Sequence, residues 1–297
     1  MRRSLLSVGL AAIVILFWPA TALAAIRQVG LGTAGNYAVL AGQSITNVGF
    51  TWISGKIGVS PGSSVTGFPP GSSGPKDVAN ARAGQAQADL TTAYLDAKGR
   101  TPCKPVSPNL TGLTLVSGLY CAGAMSLNGE LRLSGGGVFI FQIAAGLTTT
   151  PASGAWVHLI NGASPCQVFW QVGSSATIGS SAAFVGTIMA LTSISMGSRA
   201  TLEGRALARN GSVTLITNRI IMPGGCGFNA PPVGAPFPPG ASPPLPVTLG
   251  FSLSIPSNGV PLELRGQEFP WLLMIGLGAG VGVIAMGVIA RRRRRTA

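Results

Sequence analysis

Seven carboxylates, one histidine and four cysteines are the reactive side chains this 297-residue sequence offers. Asp77, Asp89 and Asp96 fall in one segment with helical spacing, on what reads as its wet face, and Glu130 and Glu203 fall in separate repeats. Glycosidic cleavage needs two carboxylates facing each other across a few ångströms, and no such pair is legible. His158, in Trp-Val-His-Leu-Ile-Asn-Gly, reads as a strand residue with a partner rather than a base. No nucleophile elbow, zinc-protease helix, phosphate loop or dinucleotide fingerprint occurs. The expectation is a protein that is not an enzyme, holds no cofactor and acts through a surface.

The cysteines are Cys103, Cys121, Cys166 and Cys226. None forms a Cys-x-x-Cys pair, and with a single histidine this argues against a metal site. In an exported protein, disulfides are the default. Of the three connectivities, Cys103–Cys121 with Cys166–Cys226 is favoured. The first pair lies one repeat apart, so stacking would bring the sulfurs together, and the second would tie the last coil to an earlier one.

Hydroxyls at regular spacing are the chemistry that remains. Ser175–Ala190 slid forward by 18 residues lies over Ser193–Ala208. Gly179 falls on Gly197, Gly186 on Gly204, Phe184 on Leu202, Ile188 on Ala206 and Met189 on Leu207. At an offset of 19, Ser212-Val-Thr-Leu lies over Ser193-Ile-Ser-Met. A short fixed period is the mark of stacked coils, each burying its apolar side on the next. Within a repeat the alternation is two: Ala176, Ile178, Ala182, Phe184, Gly186 and Ile188 against Ser175, Thr177, Ser181, Ala183, Val185 and Thr187. That is strand spacing. Gly179 and Gly197 stand where a strand would turn a corner. Three short strands per coil predict a mostly β fold, a β-solenoid of roughly triangular section. An antiparallel sandwich would alternate similarly but would rarely keep an in-register period.

Two strips of the coil surface follow. One carries Ser175, Thr177, Ser193, Ser195, Ser212 and Thr214. The other carries Ser181, Ala183, Arg199, Thr201, Glu203 and Arg205. Phe50-Thr-Trp-Ile-Ser-Gly55 can be laid on Ser181–Gly186 and Arg199–Gly204, which adds Phe50 and Trp52 to the second strip and makes residues 31–71 further coils. Asp77–Gly99 changes period: Ala79, Ala83, Ala86, Leu90, Ala93 and Ala97 form one stripe at steps of four and three, an amphipathic helix over about 77–99 with Asp77 as N-cap. A narrow alanine stripe permits close approach to a flat sheet. The helix is therefore expected along one side of the solenoid, against Met189 and Leu207.

The ends read differently. Residues 1–24 have the basic start, apolar middle and Ala-x-Ala site of a signal peptide. Residues 25–229 are the solenoid. Residues 230–270 are a Pro-rich stalk; its Leu245-Pro-Val-Thr248 is similar to a sortase signal, but Leu249 follows where glycine belongs. Trp271–Ala290 are uncharged and long enough for a C-terminal transmembrane helix, and 291–297, with five arginines, would stay cytoplasmic. The expected location is the cell surface, solenoid outside, single-pass anchor in the membrane. The protein would be a monomer, with Gly278 and Gly282 spaced for an anchor-helix dimer. The formal charge of +13 comes largely from the ends. No basic stripe interleaved with aromatics occurs, so no nucleic-acid partner is expected.

Leu31-Gly-Thr-Ala, GVSPG (58–62), VTGFPPG (65–71), AQADLTTAY (86–94), Leu113–Tyr120, VFIFQI (138–143), VFWQVGSSATIG (168–179), FVGTIMALTSI (184–194) and ALARNGSVTL (206–215) are similar to the microbial ice-binding protein family, over roughly residues 29–223. The resemblance implies a right-handed, discontinuous β-solenoid with a long helix beside it. It also implies secretion, no cofactor, and ice as the partner, adsorbed on one flat solenoid face. Such a face needs a rigid array of small Thr, Ser or Ala side chains. The resemblance sets the ice plane nearer the second strip, where Arg199, Glu203 and Arg205 depart from the required flatness. The competing expectation is an adhesin or envelope module that binds a non-ice surface through the same scaffold.

Overall fold

The 18-residue repeat winds into coils because each strand register repeats the sequence register. In the computed structural model, which describes residues 26–150 and 154–226, strand Ala183–Ala190 pairs in parallel with Thr201–Ala208. Phe184 lies beside Leu202, Gly186 beside Gly204 and Met189 beside Leu207. The second offset also holds, with Ile194 beside Val213 and Ser195 beside Thr214.

Each coil presents three faces. One is a seven-stranded parallel sheet, in order Ser64–Thr66, Ser44–Val48, Val213–Ile216, Ile194–Met196, Ala176–Ile178, Leu147–Thr149 and Met125–Leu127. The other two come from one long sheet whose strands bend midway. Gly186 and Gly204 sit at the bend with φ of 107° and 156°. A Cβ on Gly204 would lie 1.9 Å from the Gly186 carbonyl oxygen, so the stacked corner admits only glycine there. Gly179 and Gly197, expected to turn the first corner, do not carry its left-handed backbone. Ser181, Arg199 and Thr217 carry it, at φ of 60°, 61° and 49°. Gly197 serves a close approach instead: a Cβ would meet the Ser180 backbone nitrogen at 2.7 Å.

The stack is discontinuous. Tyr37–Ala41 pairs with Thr201–Ala208 (Val39 beside Ala206), and Ser44–Val48 pairs with Val213–Ile216. The first coils of the chain thus lie beyond the last ones. The helix resolves the topology by carrying the chain to the other end. Its 19 residues, Ala81–Gly99, span about 28 Å at 1.5 Å per residue. Seven rungs at about 4.8 Å make six steps, about 29 Å. The chain then restarts at Lys104–Pro105 and Thr114–Ala122.

Inward-pointing residues fill one core. Ala176, Ile178, Phe184, Ile188, Ile194, Met196, Leu202, Val213 and Leu215 are all buried in it. An aromatic ladder runs through consecutive rungs: Tyr120 to Phe141 at 5.6 Å between ring centroids, Phe141 to Trp170 at 4.0 Å, and Trp170 to Phe184 at 4.8 Å. Such pairs add about 1 kcal/mol each beyond area burial. A second cluster seals the helix to the solenoid, with Ala86, Leu90, Ala93, Tyr94 and Ala97 packed with Met189 and Leu207. Both of those solenoid side chains are wholly buried, as the alanine stripe required.

Three local expectations are corrected. The helix begins at Ala81, capped by Asn80, whose side chain accepts from the Ala83 N–H at 2.9 Å. Asp77 lies instead in the strand Lys76–Val78, paired to Lys56–Val59, and Ala79 at φ 48° turns the chain out of it. Asp77 and Asp89 are not on a wet face. Asp77 is buried and accepts from Tyr37 Oη at 2.8 Å, Asn80 Nδ2 at 2.9 Å and Arg82 Nε at 3.0 Å. Asp89 is buried and accepts from the Thr33 N–H and hydroxyl at 2.7 and 2.6 Å. The readings of residues 1–24, 230–270, 271–290 and 291–297 lie outside the described residues. Among the described residues, no helix is long and apolar enough to cross a membrane.

Candidate functional site

The seven-stranded face is built from residues that sequence reasoning found only in its middle. Thr177 is in register with Ser195, and Ser195 with Thr214. The row continues to Thr46 and Thr66 on one side, and to Thr148 and Ser126 on the other. Seven hydroxyl side chains therefore cross the whole face, one per rung, about 4.8 Å apart. A second row two residues earlier holds Ser64, Ser44, Ser212, Ser193 and Ser175, about 6.7 Å away along the strands. Four of its five hydroxyls are tied down. Ser44 Oγ bonds to Ser212 Oγ at 2.8 Å, and Ser193 and Ser175 Oγ accept from backbone N–H groups of the next rung at 3.2 and 3.4 Å. In the first row Ser126 is bonded, its Oγ donating to the Pro108 carbonyl at 3.5 Å. Among the described residues, the hydroxyls of Thr66, Thr46, Thr214, Ser195, Thr177 and Thr148 make no hydrogen bond to protein and face solvent.

Two further features mark this face. None of its seven strands contains a charged residue. Beneath it, Ile45, Val213, Ile194, Ala176, Leu147 and Met125 form a continuous apolar row, each no more than 2 % exposed. Buried polar side chains brace its edge, a feature no sequence periodicity marked. Asn47 Nδ2 donates to the Gly49 and Gly67 carbonyls at 2.8 Å, and Thr149 Oγ1 accepts from the Gly179 N–H at 2.7 Å. Asn218 Nδ2 donates to the Gly197 carbonyl at 2.7 Å, while its Oδ1 accepts from the Ile216 N–H at 2.6 Å.

The remaining candidates separate. Ser181 is an exposed corner residue, while Ala183 and Thr201 lie in register with each other on the third face. Phe50 and Trp52 share that face, 80 % and 46 % exposed, with Trp52 beside Arg219 and Arg219 beside Thr201. Trp156, also exposed, is in register with Ala183. Arg205, assigned to this strip from sequence, is not on it. Past the Gly204 bend it is buried on the helix side, where its Nε donates to the Gly35 carbonyl at 2.9 Å. Burial pushes its guanidinium down to about 10.

His158, Glu130 and Arg132 form a surface cluster on this face. His158 Nδ1 is 3.1 Å from Glu130 Oε1, and Arg132 Nε donates to the same oxygen at 3.0 Å. The His158 hydrogen bond, then that of Arg132, holds the Glu130 carboxyl below its usual range. Among the described residues no group of His, Cys, Asp and Glu could hold a metal. Cys103 is bonded to Cys121, with Cα atoms 5.8 Å apart, and Cys166 to Cys226 at 5.0 Å.

The chain is thus a discontinuous parallel solenoid, strapped by one helix and carrying an uncharged hydroxyl lattice on one face. Residues 39–221 match the family described as Ice-binding-like, and the chain belongs to that family. It is 43 % identical over 198 residues to an ice-binding protein of Nostoc sp. strain HG1, covering 64 % of this chain and 72 % of that protein. It also resembles the crystal structure of an ice-binding protein from an Antarctic biological consortium, with 44 % identity, a TM-score of 0.64, and coverage of 66 % of this chain and 92 % of that one. The crystal structure of the ice-binding protein of Antarctomyces psychrotrophicus matches with 35 % identity, a TM-score of 0.63, and coverage of 66 % and 99 %.

Proposed function

We propose that this protein binds ice, in antifreeze fashion, through the seven-stranded hydroxyl face. The carrying observation is the unbroken row Thr66, Thr46, Thr214, Ser195, Thr177, Thr148 and Ser126, whose register spans every rung of that sheet. Hydroxyls fixed on a rigid two-dimensional lattice hold water in a repeating pattern, and the threonine methyls between them fill the gaps without disordering it. A surface water layer already ordered this way joins a crystal with little further loss of entropy. The third face suits this less well. Arg199, Glu203, Arg219, Phe50 and Trp52 project from it at unequal heights. The family and the relatives' names support ice as the partner, and the ligand needs neither cofactor nor catalysis.

Residues 26–226 correspond to nearly the whole of two crystallised chains, so that unit is suited to a direct assay. It is expected to inhibit ice recrystallisation at micromolar concentration. Thr177→Tyr, at the centre of the row, is expected to abolish inhibition, and Thr201→Tyr on the third face to leave it unchanged. The reverse pattern would move the ice plane to the third face, and no inhibition by the unaltered unit would reject the proposal. Export by residues 1–24 and anchoring by 271–290 would set this face outside the cell. Fractionation of the full chain with protease shaving of intact cells tests that placement.

A further inference from the structure

The third face carries a feature that ice adsorption does not use. Phe50, Trp52, Arg199, Thr201, Thr217 and Arg219 line a shallow cleft of about 340 Å3. Phe50 is four-fifths exposed, and neither arginine has a carboxylate within ion-pair distance among the described residues. Arg219 lies over the Trp52 ring, its Cζ 5.4 Å from the centroid, so the indole and the guanidinium hold each other in place. Thr201, Arg219 and Trp52 occupy successive rungs in register, about 4.8 Å apart, a step comparable to one sugar ring. Trp156 continues the line beyond Ala183, which precedes Thr201. Large aromatics left in water on a protein whose other faces are a hydroxyl lattice and a helix-covered sheet mark a contact surface.

We infer that this cleft binds an acidic polysaccharide, the pyranose faces lying on Trp52 and Phe50 and the anionic groups meeting Arg199 and Arg219. Aromatic rings accept the apolar face of a sugar while leaving its hydroxyls wet. A guanidinium fork fits carboxylate and sulfate alike, and with no carboxylate lining the cleft the fit is to a negative ligand. Thr201 and Thr217 supply hydroxyls for the ring substituents. Single-stranded nucleic acid would also use rings and arginines, but two disulfides suit an exported protein, and outside the cell polysaccharides are the polyanions at hand. The site lies on a different face from the hydroxyl row, so its test is independent of ice binding.

Affinity electrophoresis of the full chain through gels containing alginate, dextran sulfate or neutral dextran, with a single-stranded oligonucleotide as competitor, reads the inference directly. Retardation is expected in alginate or dextran sulfate, the stronger one assigning carboxylate or sulfate, and none in dextran. Trp52→Ala, and separately Arg199→Ala with Arg219→Ala, are each expected to weaken retention about tenfold relative to the unaltered chain. Arg291–Arg295 contribute equally to all of these chains and cancel. Phe50→Ala changes a side chain that is 80 % exposed and so leaves the fold intact; it too is expected to weaken retention. Thr177→Tyr should leave retention unchanged. Equal retention in dextran, retention untouched by Trp52→Ala and Phe50→Ala, or full displacement by the oligonucleotide at matched charge would each overturn the assignment.

Discussion

The hydroxyl face and the third face are cut from the same coils, yet they differ in every property that decides what they touch. On the first, strands of three to five residues run straight from corner to corner, and no charged residue enters. On the third, the strands are the front halves of longer ones that must bend at Gly186 and Gly204. Charged and aromatic side chains collect there: Glu130, Arg132, His158, Glu203, Arg219, Trp52 and Trp156. One scaffold thus presents an uncharged small-residue lattice on one face and a surface of long charged and aromatic side chains on another. What separates them is both strand length and the size and charge of the side chains that point outward.

Variants that strike both faces should do the most damage. Gly204→Ala forces a Cβ against the Gly186 carbonyl at a left-handed backbone position and is expected to cost about 3–4 kcal/mol, read by chemical denaturation. Both faces should fail together on heating. Cys103→Ala with Cys121→Ala opens an 18-residue separation and should cost about 3 kcal/mol on the chain-entropy estimate. Hydrogen exchange should then rise first near Met125–Leu127, the end rung of the hydroxyl face, and last near Ile194–Met196.

A single-face variant sharpens the contrast. Ser195→Arg puts one long cation in the middle of the lattice. It should weaken recrystallisation inhibition about tenfold, equivalent to about 1.4 kcal/mol, with unfolding unchanged. Glu203→Ser, which makes the third face smaller and less charged, should bring no gain in inhibition; a gain would show that the two faces share the ice contact.

The smaller effects concern charge. Hydrogen bonds from Asn80, then those of Tyr37 and Arg82 against the opposing effect of burial, hold the Asp77 carboxyl below its ordinary value of 3.8. A depressed folded-state value gives stability that is present above the unfolded value. It is lost as pH falls through the folded one. The native protein should therefore lose stability progressively below about pH 4. Asp77→Asn, less stable by about 1 kcal/mol at neutral pH, should show a flatter acid limb. Glu130→Gln breaks an exposed cluster on the third face. It should leave the melting temperature unchanged within error, in keeping with the small worth of surface pairs.

Much of this was legible where coils repeat at constant length. Ser175–Ala208 shows its register because residues 18 apart meet in space. The alanine stripe from Ala83 to Ala97 showed a helix that must lie close to a sheet, and Met189 and Leu207 are its partners. Elsewhere the coils vary. Thr148 precedes Thr177 by 29 residues because its coil inserts residues 161–167 between Trp156–Ile160 and Val168–Val172, which are continuous in Ala183–Ala190, and Ser126 precedes Thr148 by 22. No fixed offset finds those rows. Asp77 had the residue type and spacing of a helix cap, but strand pairing with Lys56–Val59 overrode a local preference worth about 1 kcal/mol.

From composition and period alone, the sequence determined that short parallel strands would stack, that their inward residues would be apolar, and that their outward ones would be small and hydroxylated in the middle coils. Those are local matters, settled by alternation along one strand and repetition in the next. Tertiary structure decided the rest. Thr46 adjoins Thr214, with Thr66 on the rung beyond, only because the helix carries the chain back along the stack, and Arg205 leaves the surface only because a glycine corner turns it beneath the helix side. Neighbours brought together by closure of a stack, from opposite ends of the chain, share no spacing that a linear pattern can record.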